Sequence, residues 1–291
     1  DIDPSSINKN VPVEIPIVAD AANALRAILA AWSEEPAAER SAIAEWWKQI
    51  DTWRGIDCLR FTQDMTRGAL IRPQHAIQRL YDITREQGRE TFITTEVGQH
   101  QMWAAQYFHF DRPNRWMTSG GLGTMGYGLP SAMGVQVAHP EALVIDIAGE
   151  ASIMMNIQEM ATLAQYRLPV KVFILNNQYM GMIRQWQELM HGSRYSESYS
   201  ESLPDFVKLA EAFGAKGLRA TSVDQLDDVI REMLATPGAV IADIAVEQNE
   251  NCFPMIPSGA AHNEMLLGGE HGGALHGTGG PQVTDEGLGL V

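Results

Sequence analysis

The chain is short of cysteine, of basic residues and of long apolar runs, and each shortage removes a class of function. Only Cys58 and Cys252 occur in 291 residues, far apart and without metal-type spacing. That excludes a disulfide framework and a cysteine-based zinc site, and leaves both as small packing residues suited to a reducing cytoplasm. Lys and Arg number 21 against 36 Asp and Glu, a net charge of −15, which argues against nucleic acid and anionic membrane as partners. No apolar run approaches the ~20 residues that cross a bilayer, and no signal-peptide pattern opens the chain. A starting Met is also missing. Asp1-Ile-Asp3-Pro4 reads as a strand end entering a turn, so a piece of a longer chain is expected.

What is present suits one large α/β domain or two small ones. Residues 1–18 carry Pro4, Pro12 and Pro16 and are expected as extended loop or edge strand. Asp20 caps a helix over 21–33, with Leu25, Ile28 and Leu29 on one face. A second helix, from Pro36 to Trp53, spaces Trp46, Trp47, Ile50 and Trp53 as core or interface rather than ligand contacts. An irregular charged link covers 54–70. Pro73 opens a helix to Gln87 that Gly88 closes. Thr91–Thr95 is a β-branched strand, and Gln99 to Trp103 begins the next helix across a turn where an anion can sit. Five glycines within 120–128 argue for close approach of backbone to a ligand or another helix, and alone leave flexible-loop and nucleotide-loop readings open.

The stretch from Val144 to Tyr179 organises the rest. Residues 142–148 are an apolar run broken only by Asp146, residues 157–168 are apolar at helical spacing, and residues 170–175 are a second apolar run. Two parallel strands joined by a helix bring both carboxyl ends to one sheet edge, where Glu150 and Asn177 face one ligand. A carboxylate, an amide oxygen and glycine-exposed N–H groups suit a divalent cation holding a diphosphate; the blander reading is an ordinary βαβ core. Helices over 180–190, 205–213 and 223–234 alternate with strands at 216–219 and 239–245. The alternation predicts an α/β fold, a mostly parallel sheet with helices on both faces. From Gly268 the chain is rich in Gly and His and reads as a flexible or interface-bound tail, with adventitious metal binding by His271 and His276 the alternative to a solvated role.

Here the residues point to a family. Gly149-Glu150-Ala151-Ser152 followed by Asn176-Asn177 resembles the thiamine-diphosphate motif. The blocks 96–103, 119–126, 155–160, 176–182, 185–187 and 253–259 look like the acetohydroxyacid synthase (acetolactate synthase) catalytic subunit, in the right order and over nearly all of residues 1–267. The resemblance implies four segments: 1–20 as the end of a central FAD-binding domain, 21–70 as a helical linker region, 71–267 as the C-terminal thiamine-diphosphate-binding domain, and 268–291 as the tail.

It also implies a site. Mg²⁺ would be held by the side chains of Glu150 and Asn177 and the carbonyl of Tyr179. The diphosphate would meet Gln99, His100, Ala151 and Ser152, with Val97, Gly98, Gly149 and Gly181 in the same shell. Gly123 and Met125 would contact the aminopyrimidine, the Met125 side chain wedging the cofactor's two rings together. Met182 and Trp186 would line the acceptor pocket, with Ser258 near its mouth, and Asp3 and Asp20 would contact FAD. The implied reaction decarboxylates pyruvate and joins its hydroxyethyl unit to a second 2-keto acid, pyruvate or 2-ketobutyrate, for branched-chain amino acid synthesis. A homodimer or homotetramer with a small regulatory subunit is the implied assembly. The glutamate that activates the cofactor belongs to another domain, so this chain alone is expected to be inactive. The departures are Glu150 for the usual Asp, one methylene longer, and Ala151 for the usual Gly. Two other readings are a different thiamine-dependent enzyme, such as glyoxylate carboligase or pyruvate oxidase, and a non-catalytic cofactor-binding module.

Overall fold

A computed structural model describes residues 1–34, 43–55 and 57–268. The chain forms two compact units, Asp1–Asp57 and Cys58–Val291, and each is described by itself. In the first, a 3-10 turn at Pro4–Ser6 precedes helix α1 (Ala21–Glu34) and helix α2 (Ala44–Arg54). Residues 1–18 hold that turn and no strand, consistent with three prolines that withhold backbone donors. The expected start of the second helix at Pro36 lies outside the described residues. Trp46 and Trp47 are exposed, so neither is core; Trp46 meets Trp53 edge-on at 5.5 Å.

The second unit runs α3 (Pro73–Glu86), β1 (Thr91–Thr95), α4 (Gln99–Tyr107), β2 (Trp116–Met117), α5 (Gly128–Ala138), β3 (Leu143–Gly149) and the short α6 (Glu150–Ile153). It continues through α7 (Met160–Tyr166), β4 (Lys171–Asn176), α8 (Gly181–Met190), α9 (Phe206–Ala212), β5 (Lys216–Ala220), α10 (Val223–Ala235) and β6 (Val240–Ala245). All six strands are parallel, in the order β2-β1-β3-β4-β6-β5. Alternate residues of the inner strands feed two cores. Ile145, Ile147 and Phe173 pack with Ile77, Leu80, Trp103 and Ile230 from α3, α4 and α10. Val144, Val172 and Ile174 pack with Leu129, Leu163 and Phe206 from α5, α7 and α9. Both sheet faces are therefore buried, which is why the strands read as continuous apolar runs.

No helix is expected from the sequence at 128–138, yet α5 is there. Its start carries Gly128 and Pro130, which mask helical spacing, although proline is tolerated in a first turn because the missing N–H has no partner there. From β1 the chain steps outward to β2 and then returns across β1 to β3, so the strand order reverses at the β1–β3 pair. At such a reversal the connections leave in opposite directions and open a crevice at the strand carboxyl ends. Register places Thr95 beside Ile147 and Gly149 beside Leu175, so segments 96–100, 149–153 and 177–181 emerge together.

Candidate functional site

A cavity of about 250 Å³ occupies that crevice. Val97, Gly98, Gln99, His100, Gly123, Met125, Gly149, Glu150, Ala151, Ser152, Asn177, Tyr179, Gly181 and Met182 all line it. Its apolar wall adds Trp103, Leu175, Met180 and Ile183. Helices α4 and α8 both start here without a side-chain cap, so their first N–H groups are left for a ligand.

Close approach explains the glycines. A Cβ on Gly98 would stand 2.8 Å from the His100 ring, and one on Gly149 2.6 Å from its Nδ1, so the imidazole packs where only glycine leaves room. A Cβ on Gly181 would fall 2.0 Å from Gln99 Oε1. Met125 is held on a loop, not on a helix face, between Gly123 (φ +73) and Gly126 (φ +87), both in the left-handed region that glycine enters freely. Asn177 Oδ1 accepts the Tyr179 N–H at 3.0 Å around the left-handed Gln178, a tight turn that presents residues 177–179 to the cavity.

Two polar groups in this cavity are unsatisfied. Glu150 is buried, its Oε1 has no hydrogen-bond partner, and burial pushes its carboxyl up to about 8, with Asp243 adding to the shift and backbone N–H groups opposing it. His100 is buried with Nε2 unpartnered, and burial pushes it down to about 3 against its bond to the Glu96 backbone. A carboxylate in want of a cation, beside oxygens of Asn177 and Tyr179, is a hard oxygen donor set of the kind Mg²⁺ takes. Among the described residues no group of three or more His, Cys, Asp or Glu forms a metal cluster, so the amide and carbonyl oxygens are needed.

Other side chains expected at the ligand are committed within the protein. Gln99 Nε2 donates to Gln185 Oε1 (2.8 Å) and to the Glu250 carbonyl (3.0 Å), and its Oε1 accepts from Asn177 Nδ2 (3.2 Å). Only its backbone is left to meet a diphosphate. The Ser152 hydroxyl donates to Glu96 Oε2 at 2.9 Å. Glu96 itself is missing from the sequence-derived site; nothing in a single Glu at a strand end marks it.

Residues 96–244 match the family described as the thiamine pyrophosphate enzyme, C-terminal TPP binding domain. The chain belongs to the thiamine pyrophosphate enzymes. It is 44% identical over 268 residues to the acetolactate synthase large subunit of Haemophilus influenzae, covering 92% of this chain and 46% of that one. It is 45% identical over 271 residues to the acetolactate synthase isozyme 3 large subunit of Escherichia coli, with the same coverage. It is 42% identical over 266 residues to the mitochondrial acetolactate synthase catalytic subunit of Saccharomyces cerevisiae, covering 91% and 38%. The chain thus spans a little under half the length of the Haemophilus influenzae and Escherichia coli relatives.

In the second unit, two residues named from the sequence, Trp186 and Ser258, lie off the cavity wall. Trp186 is 41% exposed on α8, one helical turn beyond Met182 and on the same face. Asp3 and Asp20 belong to the first unit and are used there as caps. Asp3 accepts the Ser5 N–H and hydroxyl at 2.8 and 2.9 Å, and Asp20 Oδ1 accepts the N–H groups of Ala22 and Asn23.

Proposed function

We propose that this chain is the cofactor-binding C-terminal part of an acetolactate synthase catalytic subunit. The whole protein would join two small 2-keto acids with loss of carbon dioxide, giving 2-acetolactate or 2-aceto-2-hydroxybutyrate. The observation that carries the reading is the buried, unpartnered carboxylate of Glu150 in the cavity at the reversal of strand order. Glu150, Asn177 and the Tyr179 carbonyl would hold Mg²⁺, leaving positions for phosphate oxygens and water. When bound, thiamine diphosphate supplies a carbon nucleophile that releases carbon dioxide from a 2-keto acid and hands on its two-carbon unit.

The chain's own residues bind, orient and exclude water. The uncapped starts of α4 and α8 oppose the charge of a diphosphate. Because the bond of His100 to the Glu96 carbonyl leaves Nε2 bare, donation to a phosphate oxygen requires a proton on that nitrogen. The Met125 and Met182 side chains form apolar walls, and Met182 with Trp186 would favour the larger acceptor. Such an apolar contact is worth ~1–3 kcal/mol, so the preference is graded. FAD through Asp3 and Asp20, a homodimer or homotetramer, a small regulatory subunit and a cytoplasmic setting complete the proposal on the strength of the resemblance.

Titration of the chain with thiamine diphosphate, with and without Mg²⁺, tests the binding half of this reading; saturable binding only with Mg²⁺ is expected. Product analysis tests the other half, using this chain fused behind the residues that precede the matched stretch in the Escherichia coli relative. Pyruvate with 2-ketobutyrate should yield mainly 2-aceto-2-hydroxybutyrate. Acetyl phosphate, or a product drawn only from glyoxylate, would assign the chain to another thiamine-dependent enzyme.

A further inference from the structure

We propose that Glu96 is a positioning residue for the cofactor cavity, a buried latch that ties the glycine loop bearing Gly123 and Met125 to the turn bearing Glu150 and Ser152. The inference rests on the cofactor reading above and extends it to a residue outside the cavity wall. Glu96 follows β1 and is fully buried. Its Oε2 accepts from the Gly126 N–H at 2.6 Å and from the Ser152 hydroxyl at 2.9 Å, and its Oε1 accepts from the Leu129 N–H at 3.0 Å. The Ser152 oxygen in turn lies 3.3 Å from the Val97 N–H and 3.4 Å from that of Gly126. Three chain segments, 96–97, 126–129 and 152, therefore meet at one carboxylate.

The chemistry of the partners requires an acid here. Two N–H groups and one hydroxyl point at Glu96, and only a carboxylate accepts all three. A glutamine would turn its NH₂ against one of those N–H donors. Capping α5 alone would need one acceptor for one N–H, as a serine or aspartate provides. Here the second oxygen spends its capacity on the loop and on Ser152, so the residue does more than end a helix.

Asp146 explains how a buried charge is tolerated. It lies on β3 beside Thr94, whose hydroxyl donates to its Oδ1 at 3.0 Å, and its Oδ2 has no partner. Burial first, and then the Glu96 charge, push Asp146 well up; burial pushes Glu96 up too, but its hydrogen bonds from Leu129, Ser152 and Gly126 oppose that shift, so of the two Asp146 holds a proton the more firmly. Gly128 records the closeness of this pair: a Cβ there would stand 2.2 Å from Asp146 Oδ1 and 2.7 Å from the Glu96 N–H nitrogen. The glycine that opens α5 is thus forced by the Asp146 carboxyl and the Thr95–Glu96 backbone beneath it.

The test compares Glu96→Gln with Asp146→Asn by two readouts, amide hydrogen exchange and thiamine diphosphate titration with Mg²⁺. Glu96→Gln should speed exchange at Gly126 and Leu129 at least about tenfold while Ile145 and Phe173 in the sheet are unchanged, and should weaken cofactor affinity about tenfold. Asp146→Asn keeps the neutral form and should leave both readouts within about twofold. Unchanged exchange in Glu96→Gln removes the latch. Faster exchange with unchanged affinity removes the positioning role, and equal damage from Asp146→Asn reduces both to a general packing defect. Should Glu96→Gln not fold, Glu96→Asp carries the same comparison with a smaller expected change. If the unaltered chain binds no thiamine diphosphate, the cofactor reading falls, and the exchange readout still decides whether the latch exists.

Discussion

Glu150 stands at the end of β3 with one carboxylate oxygen unpartnered, and its burial has a thermodynamic sign. The unfolded chain releases this proton near pH 4.5, whereas burial delays release in the folded chain to about 8. Between those values the folded state binds more protons. The stability held below pH 4.5 is therefore lost as pH rises to 8, by at most on the order of 5 kcal/mol. His100 works in the opposite direction below pH 6.5, so the difference between variant and unaltered chain is the useful quantity. Glu150→Gln should gain stability relative to the unaltered, cation-free chain as pH rises from 5 to 8, measured by urea midpoints. Mg²⁺ should raise the midpoint of the unaltered chain at pH 8 much more than at pH 5, since it binds the charged form, and should leave Glu150→Gln unmoved. A variant difference that stays flat across this range contradicts the buried-acid account.

At the scale of elements, helix α5 contains two glycines with opposite surroundings. Gly128 sits against the Asp146 carboxyl and the Thr95–Glu96 backbone, whereas nothing lies within 4 Å of a Cβ on Gly134. Gly128→Ala should therefore destabilise by ~1–3 kcal/mol or more through overpacking against the buried Asp146 carboxyl and the Thr95–Glu96 backbone. Gly134→Ala should stabilise by up to ~1 kcal/mol, the ordinary gain of alanine over glycine inside a helix. Thermal melts of the two variants separate a glycine required by its neighbours from one that is merely present; equal effects would mean the close approach at Gly128 relaxes at no cost. The same contrast shows what was legible in the sequence. Strands β3 and β4 announce themselves because both sheet faces are buried and, apart from Asp146 and the end residues Lys171 and Asn176, their residues are apolar. That Gln99, His100, Glu150 and Asn177 share one cavity is legible because they follow strands. Helix α5 is not, because its first turn is shaped by carboxyls distant in sequence, and Glu96 is not, because its three donors arrive from 30 or more residues away. Short-range periodicity carries no record of such contacts.

For the whole molecule, what matters is which half of a reaction site this chain contains. The ionisable side chains on the cavity wall are those of Glu150, His100 and Tyr179. If Glu150 holds the cation, no carboxylate remains there to exchange a proton with the cofactor's aminopyrimidine, which is the task of the activating glutamate implied by the resemblance. Leu122, next to the wall residue Gly123 in the glycine loop, is 91% exposed, so this loop lies open to water. A reactive carbanion in an open site is quenched by solvent protons. These two features predict binding without turnover. The chain should bind thiamine diphosphate in the presence of Mg²⁺ and yet form no acetolactate from pyruvate within the detection limit of a colorimetric acetoin assay. Joining it to the preceding residues of the Escherichia coli relative should restore product formation by orders of magnitude, because that adds an activating carboxylate and a cover at once. Acetolactate made by the 291-residue chain alone would show that a group on this chain activates the cofactor, and would return Glu150 from cation ligand to proton carrier.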